Sequence, residues 1–394
     1  MKILFLISEF SGLKKSIKNS VWDPTGAPTI YRLIEELDKR SYIKDIVIFS
    51  NNNKKKIIKI KGLNANFIIL NKSKSFLYFS RVLSFLFNMK TILSILKKTK
   101  NHLVYVDRAN VVYGAILSKF FKKNVVLRIM GIYPDMLEIN KRYNFQSFIE
   151  RVSYKAPFSE IICTEDGTPG KEWLNEYTNK KVRKNILLNG FDKSNFKLTK
   201  KVGISEKIRI LFVGRLEKIK GCQEFVDVAL NFPSKYRKRV EFIIVGNGSL
   251  KKNIMTIIKK RKMDKFIQIM SDISHKKLNK IFNSCDIYVS LNKLGSLSNS
   301  NIEAMCNGKC CIFLNKNKNS NTDNSTYKLI SDKEIIKVSR ENTKESLTNI
   351  LVNLIENPKI IETYSSNISA LSNKLFKTWK ERIMIEIRLL KKLI

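Results

Sequence analysis

Acid is what this chain has least of. Asp and Glu number 34 against 74 Lys and Arg, a formal net charge of +40, and between Asp45 and Asp107 there is no acidic residue at all while twelve Lys or Arg occupy the interval. Histidine is scarcer still: only His102 and His275 occur, neither directly after a strand-like run, so they read as surface or helix-cap residues and not as general bases. The six cysteines, Cys163, Cys222, Cys285, Cys306, Cys310 and Cys311, form no CxxC pair and lie almost entirely in apolar stretches, the pattern of reduced, buried thiols in a cytosolic protein. The cluster at Cys306, Cys310 and Cys311 lacks a companion His or a second pair at ligand spacing, so no metal site is expected there, and no Asp-x-Asp motif is present. No run approaches the roughly 20 apolar residues of a spanning helix. The opening MKILFLISEF, without a small-residue cleavage site, reads as a first buried strand and not as a signal peptide.

What the chain has is enough apolar residues for folded domains. At 394 residues and 43% hydrophobic content it exceeds a single core, and two domains are expected. The excess positive charge divides almost evenly, +21 in residues 1–200 and +19 in the remainder, which excludes a basic nucleic-acid-binding tail. Lys outnumbers Arg 58 to 16, so an AT-rich coding bias accounts for part of the charge, and a polyanionic partner is the alternative.

Short β-branched runs alternate with longer helical patterns: KILFLI, DIVIFS, FIIL, LVYV, VVLRIM, EIICT and ILLN in the first half, then IRILFVG, EFIIVG, FIQIM, DIYVSL and CCIFLN in the second. Such alternation predicts an α/β fold with two Rossmann-like, doubly wound parallel-sheet domains. We expect an N-terminal domain over 1–196, a polar linker over 197–207, a C-terminal domain over 208–370 and a final helical tract over 371–394. Open parallel sheets bind ligands beyond the carboxyl ends of their strands, so two facing domains would line a cleft with the loops that follow strands.

Three motifs stand at such positions. Gly214-Arg215-Leu216-Glu217-Lys218-Ile219-Lys220-Gly221 follows IRILFV and offers two cations, Arg215 and Lys220, to a diphosphate; alone it is equally a surface turn in a Lys-rich chain. Gly246-Asn247-Gly248 follows EFIIV, where glycines permit close backbone approach to a phosphate or simply a tight turn. The stretch from Gly295 through Ser298, Asn299 and Ser300 to Glu303 joins DIYVSL to a helix expected to start near Ser298 to Ser300, whose free N–H groups favour an anion. Glu303, expected in the first turn, reads as a dipole-compensating acid or as an acceptor for two ribose hydroxyls.

In this order and spacing the motifs resemble the donor-binding domain of the retaining GT-B glycosyltransferases of glycosyltransferase family 4 (glycosyl transferases group 1). The resemblance extends through Lys2 to Ile7 with the loop Asp23-Pro24-Thr25-Gly26-Ala27-Pro28, through Asn189-Gly190-Phe191-Asp192, and from Trp379 onward. It implies that Arg215 and Lys220 hold a donor diphosphate, that Glu303 binds the nucleotide ribose, that Gly214, Gly246, Gly248, Ser298, Asn299 and Ser300 line the donor site, and that Met270 to Ser274 lies by the base. It implies acceptor-side positions at Gly26, Ala27, Arg128 and Gly131, a final helix crossing back to the first domain, and metal-independent transfer with no cofactor beyond the nucleotide-sugar substrate. Two positions depart from the family. Gly295 stands where a sugar-contacting Glu is usual, and Met130 stands where a His is usual; Asp135 and Glu138 are candidates to compensate, or solvated loop acids.

Within the acid-free interval, FLYFSRVLSFLFNMKTILSILKK reads as a helix whose Ser80, Ser84, Asn88 and Thr91 form one narrow polar stripe, flanked by Arg81, Lys90, Lys97 and Lys98. A helix apolar over most of its girth is buried or sits at a membrane interface, and part burial with contact to an anionic membrane through 46–106 is expected. The expectation is a cytoplasmic transferase peripheral on the inner face of the plasma membrane, moving a sugar to a lipid-linked or polysaccharide acceptor for capsule, O-antigen or exopolysaccharide. A non-catalytic nucleotide-binding scaffold of the same fold is the alternative. A nucleic-acid binder ranks last, since no binding module accompanies the charge.

Overall fold

The computed structural model describes residues 2–50, 56–72, 78–99, 103–141, 144–192, 207–271, 273, 275–317 and 322–394. His102 and nearly all of the expected linker 197–207 lie outside the described residues. Two compact units emerge: Met1–Thr164 with Gly170–Leu187 and Trp379–Ile394, and Glu165–Pro169 with Leu188–Thr378.

The first unit holds an eight-stranded sheet of β1 (Ile3–Ser8), β2 (Ile43–Ser50), β3 (Lys56–Lys59), β4 (Asn66–Asn71), β5 (Leu103–Asp107), β6 (Asn124–Ile129), β7 (Glu160–Glu165) and β8 (Lys184–Leu188), in the order β3-β4-β2-β1-β5-β6-β7-β8. β1 pairs parallel with β2 and β5, and the edge strand β3 is antiparallel to its neighbour β4. Side chains alternate between two cores, as a strand's period of two requires. Leu4, Leu6, Val104, Val106, Val125 and Leu127 face one core. Ile3, Phe5, Tyr105 and Val126 face the other, which is closed by Ile383, Ile387 and Leu390 of the last helix, Trp379–Lys391.

That last helix is fixed by charge as well as by apolar contact. Glu386, fully buried, accepts from Tyr105 Oη at 2.5 Å and from Arg382 Nη1 at 2.9 Å, and lies 3.5 Å from Arg128 Nε. Burial pushes the Glu386 carboxyl up, but the two guanidinium groups and the hydrogen bonds outweigh it and hold the group below the usual range. This corrects the expectation for Arg128. It is wholly buried, donates to Ile129 O, to Ile162 O at 3.1 Å and to Thr164 Oγ1 at 2.7 Å, and is therefore held inside the first unit and away from its surface.

The second unit holds a fully parallel sheet of β9 (Ile208–Val213), β10 (Val240–Val245), β11 (Ile267–Met270), β12 (Ile287–Ser290), β13 (Cys310–Leu314) and β14 (Ile335–Val338), ordered β11-β10-β9-β12-β13-β14. The strand order reverses between β9 and β12, so the switch point lies at their carboxyl ends. All six cysteines are buried and free, and no group of three or more His, Cys, Asp or Glu among the described residues could hold a metal.

The final tract is not one helix. Pro358–Leu375 ends in the second unit and Trp379–Lys391 belongs to the first. Phe376 turns extended at φ −97° and ψ 145° to bury its ring, and Lys377 O accepts from Phe191 N at 3.1 Å, which pulls the chain out of helical geometry. The first boundary also moves, from 196 to Leu188, with Glu165–Pro169 joining the second unit.

Removing the charge of Glu386 leaves two buried cations uncompensated, a change that costs about 3–5 kcal/mol. Glu386→Gln is expected to lower the unfolding midpoint by roughly 10 °C, read by thermal denaturation followed by circular dichroism. An unchanged midpoint would show that apolar packing alone holds the helix.

Candidate functional site

The candidate side chains of the second unit sit at the carboxyl ends of strands, on the loops that leave them or on the helix Asn299–Cys306, and the loops are fitted to one another through glycines. After β9 the chain runs beside the loop that follows β10: Gly214 N donates to Val245 O at 3.0 Å, and Leu216 N to Asn247 O at 2.9 Å. A Cβ on Gly246 would lie 1.9 Å from Gly214 O, and one on Gly248 would lie 2.5 Å from Leu216 O. These two glycines therefore serve the approach of one loop to another, while a Cβ on Gly214 would meet nothing nearer than 3.7 Å.

Beyond Leu216, a one-turn helix Lys218–Lys220 ends at Gly221, whose φ is +70° and whose Cβ would lie 2.4 Å from that of Leu291. Only glycine fits there, by conformation and by space. The turn is also pinned by Lys293 N donating to Ile219 O at 2.9 Å. It holds Arg215 exposed and Lys220 half-buried. Glu217 forms no ion pair with either: its carboxylate accepts from Ser249 N at 2.9 Å and Ser249 Oγ at 2.6 Å, and Arg215 acts on it only as a nearby charge. Among the described residues neither Arg215 nor Lys220 has an ion-pair partner. Burial and then the charge of Arg215 hold the Lys220 ammonium below its usual value, opposed by Asp166. Two cations that disfavour each other in a partly desolvated place are stabilised by an incoming anion.

The loop after β12 closes the other side of the switch point. Asn292 Nδ2 donates to Gly295 O, and buried Ser296 donates to Asp323 through N at 2.6 Å and Oγ at 3.1 Å. The helix Asn299–Cys306 follows, with Ser298 in the N-cap position. Ser298 makes no side-chain cap, and its hydroxyl lies 3.3 Å from that of Ser300. Asn301, buried, ties the helix to β12 by accepting from Tyr288 Oη at 2.8 Å. Glu303 is the fifth helical residue and 9% exposed, so it stands in the second turn, correcting the first-turn expectation, and dipole compensation no longer explains it.

Gly295 now has a structural reason. A Cβ there would lie 2.4 Å from Asp166 O, because Glu165–Pro169 fills the space beside it. Leu297 N donates to Asp166 O at 3.1 Å, Asp323 N to Gly167 O at 2.6 Å and Ser325 Oγ to Glu165 Oε1 at 2.7 Å. Sequence reasoning missed Asp166 and Asp323. The Asp166-Gly167 pair after a strand signalled a turn only, and nothing local ties it to residues 292–297 or 323.

Other expected positions fall as follows. Met270 ends the edge strand β11, while residues 272 and 274 are outside the described residues. Gly26 and Ala27 are both left-handed, at φ +71° and +41°, ahead of the helix Pro28–Lys39; a positive φ at Ala27 is uncommon for a residue with a Cβ. Gly131, at φ +91°, is buried in the first unit. The Asp135 carboxylate is paired with Arg108, accepting from Nη1 at 2.9 Å, and Glu138 is exposed.

Residues 194–358 match the family model described as Glycosyl transferases group 1. The second unit thus carries a glycosyl transferases group 1 domain. The chain is 31% identical over 104 residues to an uncharacterized glycosyltransferase of Methanocaldococcus jannaschii, a match spanning 26% of this chain and 26% of that relative. Among solved structures it is similar to sucrose-phosphate synthase from Thermosynechococcus elongatus (TM-score 0.71, 15% identity, 100% of this chain and 99% of that one). It is also similar to Anabaena HepE in complex with UDP (0.70, 15%, 99% and 100%) and to WaaG, a glycosyltransferase involved in lipopolysaccharide biosynthesis (0.65, 11%, 98% and 99%). These likenesses define the fold as the GT-B arrangement of two Rossmann-like parallel-sheet domains.

The glycine contacts predict a contrast between neighbours. Gly295→Ala forces overpacking against a backbone carbonyl and is expected to destabilise the protein by about 1–3 kcal/mol, whereas Gly214→Ala is expected to change stability by less than about 1 kcal/mol. Urea denaturation of the two variants tests the assignment, which fails if they behave alike.

Proposed function

We propose that the chain is a retaining glycosyltransferase that moves a sugar from a nucleoside-diphosphate sugar to a lipid-linked or polysaccharide acceptor in cell-surface glycan assembly. The carrying observation is the pair Arg215 and Lys220, without an ion-pair partner among the described residues, at the β9–β12 switch point. The similarity to HepE, solved with UDP and glucose, favours the same ligand class.

In this reading the two cations face the donor diphosphate and stabilise the charge that grows on it as the bond from the sugar's C1 to the phosphate oxygen breaks. The N–H groups at the start of Asn299–Cys306, which Ser298 does not cap, add partial positive charge. The Glu303 carboxylate accepts from the ribose hydroxyls. The acceptor oxygen bonds to C1 on the face the diphosphate leaves, and its proton passes to a departing phosphate oxygen, so configuration is retained and no protein base is required.

The acceptor reading rests on the helix Tyr78–Thr99 of the first unit. Two residues of its polar stripe point inward: Asn88 is buried and donates to Asn71 O at 2.9 Å, and Ser84 Oγ donates to the same carbonyl at 3.0 Å. Val82, Leu83, Leu86 and Phe87 are instead exposed, the last three by more than half, beside exposed Arg81 and Lys90. The outer layer on the same sheet face continues with exposed Phe145, Phe148 and Val152 on the helix Phe145–Tyr154. Apolar side chains fringed by cations fit an anionic leaflet. No helix among the described residues is long and apolar enough to cross a membrane.

Two measurements test the proposal. Lys220→Ala is expected to cut kcat for release of the nucleoside diphosphate about 10²–10³-fold in a screen of UDP-, GDP- and ADP-sugars with native membranes as acceptor source. Unchanged turnover in the double variant Lys220→Ala, Glu303→Ala removes the site assignment, and nucleotide binding without turnover on any acceptor favours a non-catalytic scaffold. Binding to phosphatidylglycerol vesicles is expected to weaken with salt and to fall by at least about 100-fold when Arg81, Lys90, Lys97 and Lys98 are made Glu, given about 1 kcal/mol per cation; indifference to those changes returns the charge to composition.

A further inference from the structure

Asp166 has no part in diphosphate binding as described, and its charge opposes it. Its carboxylate is half-buried, and Oδ1 accepts from Thr168 N at 3.1 Å and Thr168 Oγ1 at 2.5 Å. Among the described residues Oδ2 has no hydrogen-bond or ion-pair partner. The Lys220 ammonium acts on this carboxylate, and it on Lys220, so both belong to one electrostatic neighbourhood with Arg215.

The position of the carboxylate is set by backbone and not by a mobile side chain. Asp166 O is held by Leu297 N and abuts Gly295, and Gly167 O is held by Asp323 N. Gly167 takes φ +88°, and a Cβ on it would lie 2.4 Å from Asp323 Oδ1 and 2.6 Å from Ser296 N. A free carboxylate oxygen fixed beside a diphosphate-binding cation pair repels the diphosphate. It lowers donor affinity unless hydrogen-bond donors occupy the space next to it, and a sugar esterified to that diphosphate carries such donors as its hydroxyls.

Resting on the nucleoside-diphosphate-sugar reading above, we propose that Asp166 is the specificity-determining carboxylate of the donor site, its Oδ2 accepting hydrogen bonds from hydroxyls of the transferred sugar. The loop Glu165–Pro169 thereby supplies, from a distant part of the chain, an acid at the place where Gly295 leaves no room for a side chain of its own. A site built to bond a hydroxyl discriminates steeply against a ligand that lacks it, because the acceptor is otherwise left partly desolvated and unpaired.

Burial, joined by the charge of Glu165, pushes the Asp166 carboxyl up to about 6, against the opposing effect of the Thr168 bonds and Lys220. Below that pH the group is protonated and loses acceptor strength; above it the ionised acceptor is present. Productive use of the donor should therefore fall as pH drops through 6. Mere repulsion between Asp166 and the diphosphate would give the opposite sign, since protonation would relieve it.

The test uses the full chain and calorimetric titration with UDP, GDP, UDP-glucose, UDP-galactose, UDP-N-acetylglucosamine and GDP-mannose at pH 7.5. Asp166→Asn keeps an oxygen for the Thr168 bonds. It is expected to bind the free nucleoside diphosphate as tightly as the wild type or several-fold more tightly, and to bind the preferred nucleotide-sugar at least tenfold less tightly relative to that diphosphate. An unchanged ratio overturns the proposal. Should the variant not fold, the wild-type kcat/KM for the preferred nucleotide-sugar decides: a fall below pH 6 is expected, and a rise or a flat profile overturns the proposal. Wild-type protein that binds no nucleoside diphosphate overturns the underlying functional reading as well, and is distinguished by the UDP and GDP titrations alone.

Discussion

Three loops of the second unit meet at Asp323, and the arrangement of the site depends on that meeting. Fully buried and left-handed at φ +64°, Asp323 accepts from Ser296 N, Ser296 Oγ and Thr326 Oγ1, while its own N–H donates to Gly167 O. A buried carboxylate is costly unless its lone pairs are filled, and here side-chain and backbone donors fill them. Glycine at 167 and 295 is the counterpart of this arrangement, because any side chain there would force the loops apart. The absence of an acid at 295 and the presence of one at 166 are thus two sides of one packing solution.

The first unit uses the same currency of buried charge for a different end. Glu386 between Arg128 and Arg382 locks the last helix onto the sheet, with Arg32 over the Trp379 ring at 5.5 Å reinforcing its start. A buried ion pair of this kind gives specificity of placement more than net stability, so it fixes which helix closes this face. The helix Tyr78–Thr99 shows the reverse economy. Ser84 and Asn88 turn inward to satisfy Asn71 O, while Leu83, Leu86 and Phe87 face outward beside exposed Arg81 and Lys90.

The fold class was legible because its signals are local: β-branched runs of strand length, helical periods between them, and glycine turns at strand ends. The cation pair at Arg215 and Lys220 and the helix start near Ser298 were legible for the same reason. What escaped depends on contacts between distant residues. Arg128 is the penultimate residue of an apolar strand, and the sequence does not say that Glu386 covers the face it occupies. Glu303 was expected one turn early, since Ser and Asn occur at five of the six positions before Ile302 and Glu303 and leave the cap ambiguous. Nothing local marks Asp166, whose place is set by the backbone of Leu297, 131 residues further on.

The central claim is that the second unit's cation pair holds a nucleoside diphosphate at the β9–β12 switch point. A crystal structure of the full chain with a bound nucleoside diphosphate tests it most directly. The account predicts diphosphate oxygens within hydrogen-bonding distance of Lys220 Nζ and the Arg215 guanidinium, with the ribose hydroxyls on Glu303. A nucleotide seated elsewhere, with Arg215 and Lys220 left in solvent, would contradict it.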